Sequence, residues 1–137
     1  PITVVHKAEG RSTLELFLAF FALDAAAVKP SVVIGDNEQG IKTVVGNPGA
    51  VGYVSIGTAT YNRDHGVPIR LLSLDGVDPS IGTVTDGSYP LSRPLSLVTR
   101  GEPAGLASTF ITFACDEAQS DLVLGQYFVP VDAPPGG

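Results

Sequence analysis

The 137-residue sequence has one cysteine, no methionine and no tryptophan, and its charged residues make up only 16%. A lone cysteine excludes an intrachain disulfide and a zinc site built from thiolates. Cys115 follows Ala114 and precedes Asp116 and Glu117, and reads as a small residue packed in a core. Basic side chains are few, 8 against 14 acidic for a net charge of -6, the wrong sign for binding a nucleic-acid backbone. Long apolar runs are missing too. The longest, Leu16 to Leu23, is closed by Glu15 and Asp24 and is far shorter than the roughly 20 residues a bilayer span requires. No methionine opens the chain and no charged-then-apolar leader follows, so the chain is expected to begin after a cleavage or at an imposed boundary.

What is present is apolar. Hydrophobic residues reach 44%, and a chain of this length buries roughly two-thirds of the surface that it exposes when unfolded. It is long enough for one domain, or for a piece of something larger. The low charge content predicts a greasy surface for a monomer.

Strand and helix patterns alternate from the start. Ile2 to His6 is a β-branched run. After Lys7-Ala8-Glu9-Gly10-Arg11, Ser12 and Glu15 have capping-box spacing, and a helix is predicted from there to about Val28. That helix is apolar on nearly every face, which predicts cover on more than one side. Lys29-Pro30 ends it. Ser31 to Ile34 is a second strand, and Asp36 with Gln39 caps a second helix to about Val45. Gly46-Asn47-Pro48-Gly49 is a turn, and Ala50 to Ile56 a buried strand. This βαβαβ order predicts an α/β layer with at least partly parallel strands. Tyr61 to Gly66 reads as a polar loop or short helix, Ile69 to Leu74 as a strand, and Asp75 to Ser88 as turns. Leu95 to Thr99 reads as a further strand, followed by helices over about Ala104 to Cys115 and Glu117 to Leu124.

The most informative chemistry lies at the first strand-to-helix junction. Free N–H groups and the helix dipole attract anions at such a start, and Lys7, Arg11, Ser12 and Thr13 cluster there. The spacing fits either an ordinary capped helix with two solvated cations or an anion site. Asp36 and Asn37 mark a second helix start, where the acid disfavours an anion unless it caps the backbone. His6 and His65 have no partner at metal-ligand spacing. The sequence has no G-x-S-x-G elbow, P-loop lysine or G-x-G-x-x-G after a strand, so neither catalysis nor a nucleotide cofactor is indicated.

Four blocks in order carry a family likeness: His6 to Thr13, Gly49 to Ser55, Leu74 to Ser80, and Gly87 to Leu95. Through them the sequence resembles the phosphate-binding proteins of bacterial ABC importers, within the type II periplasmic-binding-protein superfamily. The family's loop reads Arg, two spacers, Gly, then Ser-Gly-Thr. By resemblance Lys7 takes the arginine's place and Gly10 and Thr13 match, while Arg11 and Ser12 stand where serine and glycine are usual. Lysine does not offer the bidentate fork of an arginine.

The resemblance implies an α/β fold: a periplasmic-binding-protein lobe, with a mixed, mostly parallel sheet flanked by helices, over residues 1–88. Residues 89–131 would be a C-terminal strand and helices returning to the other lobe, whose N-terminal half is absent, and 132–137 a disordered tail. It further implies binding of inorganic phosphate or a similar oxyanion at Lys7, Gly10, Arg11, Ser12 and Thr13, with Asp36 and Asn37 as secondary candidates. No cofactor, metal or enzyme activity is implied. The expected partners are ABC transporter membrane subunits and the location is periplasmic or extracytoplasmic. The alternative is a truncated or diverged homologue acting through self-association, and a homodimer is expected of the chain.

Overall fold

β-Branched residues fit a pleated surface, and Thr3-Val-Val-His-Lys7 forms the central strand, β1 (Thr3–Lys7), of a three-stranded sheet. A computed structural model describes residues 1–130 of the chain. It divides into two compact units, the first ending at Ser92 and the second starting at Arg93.

In the first unit β1 is followed by α1 (Ser12–Phe20), β2 (Val32–Ile34), α2 (Asn37–Val45), β3 (Ala50–Gly52), α3 (Ile56–Asp64) and α4 (Ile81–Thr85). The strand order is β2-β1-β3 and both pairings are parallel. A right-handed crossover to β2 and another back past β1 to β3 place α1 and α2 on opposite faces. The register agrees. Lys7 pairs with Ile34 and Val5 with Gly52, and this face meets α2, where a Cβ built on Gly40 would lie 2.7 Å from Ile34 Cδ1. Val5, Ile34 and Ile41 are buried there. On the opposite face, Phe17 of α1 stacks on Tyr53, just beyond β3, at 4.1 Å.

Several expectations need correction. The first helix stops at Phe20, well before Val28. Ala22 takes a left-handed φ of 51°, and the Leu23 N–H donates to Leu18 O at 2.9 Å, a Schellman ending. Asp24 then caps a separate 3-10 turn, Ala25–Ala27. The cover expected for the apolar helix is incomplete, since Phe20, Phe21 and Leu23 remain exposed. Ser12 with Glu15 forms no capping box: Gly10 turns the chain with φ 73°, Arg11 is the extended N-cap, and Ser12 is already helical.

β3 is shorter than expected, and Ser55 starts α3 across the segment read as a polar loop or short helix. Ile69 to Leu74 is not a ladder strand; its one bridge joins Leu74 to Val77. Instead, Pro68 to Leu72 and the β3 residues Ala50 to Gly52 line one cavity of about 480 Å³. An extended segment with no strand beside it has no ladder partner for its N–H and C=O groups.

In the second unit Leu95 to Thr99 is irregular rather than a strand. The helices there are α5 (Leu106–Ala114) and, after a 3-10 turn at Glu117–Gln119, α6 (Ser120–Gly125). Cys115 ends α5 as a half-buried free thiol rather than a core residue. The expected tail at 132–137 lies outside the described residues. None of the described helices is long and apolar enough to cross a membrane.

Candidate functional site

Three helices start at the C-terminal edge of the parallel sheet, where open α/β sheets bind ligands. At α1, Gly10 adopts the left-handed conformation that suits glycine. It turns β1 into a helix whose first-turn amides, Ser12 and Thr13, have no intrahelical acceptor. Among the described residues no side chain caps this start. Arg11 is exposed, and its Nη2 lies 4.0 Å from where a Cβ on Gly35 would sit. The guanidinium therefore leans from the α1 start toward the α2 start.

At α2, Asp36 Oδ1 accepts from the Gln39 N–H at 2.8 Å, and Gln39 Oε1 accepts from the Gly35 N–H at 2.8 Å. Asp36 thus caps the backbone, the alternative that spares an anion its full repulsion. At α3, Ser55 Oγ accepts from the Thr58 N–H at 3.3 Å and lies 2.8 Å from Thr58 Oγ1.

Lys7 is drawn inward. Only 3% of it is exposed, and its Nζ donates to Asn37 Oδ1. Asn37 Nδ2 in turn donates to Ser55 Oγ at 2.9 Å and Thr58 Oγ1 at 3.1 Å. One chain of hydrogen bonds thus runs from the end of β1 through the first residue of α2 to the cap of α3. Burial holds the Lys7 amine below its usual pKa; nearby Asp36 opposes that shift and nearby Arg11 adds to it.

Tyr53 supports the same edge from the other face. Its hydroxyl accepts from the Lys7 N–H at 3.2 Å and lies 3.0 Å from His6 Nδ1. Burial raises its phenol pKa, and the Lys7 N–H opposes that shift. His6 is thereby a bonded structural residue. His65 Nδ1 sits 2.8 Å from Tyr61 O, away from this edge.

The structure therefore brings Lys7, Arg11, Asp36 and Asn37 into one neighbourhood, with Ser12 and Thr13 at the α1 start. Sequence reasoning missed Tyr53, Ser55 and Thr58. The Ser55-x-x-Thr58 spacing was the available signal for the α3 cap, but it lay at the end of a run read as strand.

Residues 1–117 match the PBP superfamily domain. The chain belongs to the PBP superfamily. Within it, the chain is similar to the phosphate-binding protein PstS of Bacillus subtilis, at 29% identity over 131 residues. That match takes in 95% of this chain and 42% of the relative. It is 33% identical over 101 residues to phosphate-binding protein PstS 2 of Streptococcus pneumoniae, covering 74% of this chain and 33% of that one. Among solved structures, it superposes on a phosphate-binding protein of a phosphate ABC transporter from Streptococcus pneumoniae with TM-score 0.77. The identity there is 28%, with 98% of this chain and 52% of that chain covered. An ABC-type phosphate transport receptor from Vibrio cholerae shares the fold at TM-score 0.70 and 22% identity, over 93% of this chain and 52% of that one. The chain thus spans about half, or less, of the length of these relatives.

Proposed function

We propose that the chain is an oxyanion-binding portion of a phosphate-type solute-binding protein that serves the membrane subunits of an ABC importer outside the cytoplasm. It binds without chemical conversion. The observation that carries this reading is the α1 start. The Gly10 turn, the exposed Arg11 guanidinium and the uncapped Ser12 and Thr13 amides converge there, on the loop that resembles the family's phosphate loop. The names of its relatives support inorganic phosphate as the ligand.

Residues 1–88 act as one lobe in this reading and 89–131 as the return of the other, so the chain holds part of a two-lobed site. Binding by one lobe is expected near the millimolar range, about -4 kcal/mol. Titrating the 15N-labelled chain with phosphate, arsenate and sulfate tests it. Saturable shifts at Gly10 to Thr13 are expected, and no shift with any of the three overturns the reading.

A second reading is self-association as a homodimer. Exposed Phe20, Phe21 and Leu23 beside α1, and Leu106, Phe110 and Phe113 on α5, favour it. Sedimentation decides: a monomer at all concentrations rules it out.

A further inference from the structure

We infer that Lys7 is a positioning residue, acting through Asn37 on the Ser55–Thr58 cap, and that Arg11 is the cation that meets the ligand. This rests on the oxyanion reading. By spacing alone the two cations are equivalent, but the structure separates them by burial and by partner.

Lys7 sits at the end of β1, on the sheet face that packs against α2, with its register partner Ile34 buried beside it. Its amine reaches Asn37, the first residue of α2. An amide carbonyl that accepts from the lysine must turn its NH2 group the other way, and here that group donates to both Ser55 Oγ and Thr58 Oγ1. Lys7 therefore sets which way Asn37 faces. Asn37 in turn makes both hydroxyls acceptors on its side, so their remaining protons are left for each other and for the open side of the site. Such networks hold their members more firmly than single bonds.

Arg11 is the opposite case. It lies outside the buried chain, exposed, one residue before the uncapped helix. A guanidinium offers the planar fork that suits an oxyanion, and one that leans toward Gly35 overhangs two helix starts at once. The charge that lysine cannot deliver from its buried position is available from Arg11.

Hydrogen bonding and charge are separable at position 7. Glutamine retains an N–H donor for Asn37 without the charge, whereas methionine retains only the bulk. If Lys7 positions Asn37, Lys7→Gln weakens inorganic phosphate binding by no more than about threefold and Lys7→Met by about tenfold, the worth of one buried hydrogen bond. Arg11→Gln is expected to weaken it more than about tenfold and to flatten its dependence on salt, because a charge at the ligand is lost. Equal losses in Lys7→Gln and Lys7→Met, with Arg11→Gln harmless, overturn the inference.

A ligand-free measurement decides the tether separately. The Asn37 side-chain NH2 resonances should move in Lys7→Met and stay close to wild type in Lys7→Gln. Unmoved resonances in Lys7→Met overturn the positioning role in a folded protein, whatever binds. If the wild-type chain shows no phosphate shift at all, the oxyanion reading and the role of Arg11 fall together. The Asn37 spectrum still decides Lys7 in that case.

Discussion

The ring of Phe17 lies parallel to that of Tyr53, 7° from coplanar with centroids 4.1 Å apart, and so fastens α1 to the strand edge that carries Lys7 and His6. The Tyr53 hydroxyl meanwhile bridges the Lys7 N–H and His6 Nδ1. One side chain thus serves packing and hydrogen bonding, and two substitutions separate these roles. Tyr53→Phe keeps the stack and is expected to cost about 1 kcal/mol for the lost hydroxyl contacts. Phe17→Ala removes the stack and should cost about 2 to 3 kcal/mol, at or below the low end for buried aromatics because Phe17 is half-buried. Urea unfolding of both variants checks the order, and a larger loss in Tyr53→Phe contradicts it.

Gly40 faces the sheet from inside α2. Alanine at an exposed helix position is usually better than glycine by up to about 1 kcal/mol. Here, however, the added Cβ would sit 2.7 Å from Ile34 Cδ1 and 3.1 Å from Val54 Cγ1. Ile34 is buried and has little room to yield. Gly40→Ala should therefore destabilise by about 1 to 2 kcal/mol. Among the described residues nothing lies within 4 Å of a Cβ built on Gly125 in α6, and Gly125→Ala should stabilise by about 0.5 kcal/mol. Thermal melts that gave both changes the same sign would show that the close approach does not govern Gly40.

The residues that made the fold legible were those acting locally. The β-branched run of β1, the Asp36 cap and the Gly46 to Gly49 turn each specify their element through their own backbone, and the parallel sheet follows from their order. Where the sequence misled, either a distant partner or a local cap decided the outcome. Ile69 to Leu74 has the composition of a strand but lines a cavity with β3 rather than joining a ladder. The apolar composition of the first helix extends to Val28, yet the left-handed turn at Ala22 and the Asp24 cap interrupt it. At the site, the cluster of Lys7 and Arg11 was visible as charge and spacing. Their unequal burial was not, because it depends on Asn37 and on α3, which come 30 and more residues later in the chain.

Thr60 is buried in α3, and its Oγ1 has no hydrogen-bond partner among the described residues. Valine has the same shape with a methyl in place of the hydroxyl. An unsatisfied buried hydroxyl costs about 1 to 3 kcal/mol, so Thr60→Val should stabilise by about 1 kcal/mol. Chemical denaturation measures this directly. A loss of stability would mean that the hydroxyl is satisfied in solution.

The depressed pKa of Lys7 gives stability a definite pH dependence. Well below its folded value the amine is protonated in both folded and unfolded chains, and stability does not change with pH on its account. Between that lowered value and the ordinary 10.5, the unfolded chain binds more protons than the folded one. Stability therefore rises with pH across this window. Tyr53 acts in the other direction. Its phenol is raised above the ordinary 10.0, so above that pH the unfolded chain loses its proton first and stability falls. Lys7→Gln removes the first effect and leaves the second. Measured by urea unfolding at steps from about pH 8 to pH 10, the stability of wild type relative to Lys7→Gln should increase as pH rises. A difference that is flat, or that shrinks toward alkaline pH, would place the Lys7 amine in solvent rather than against Asn37.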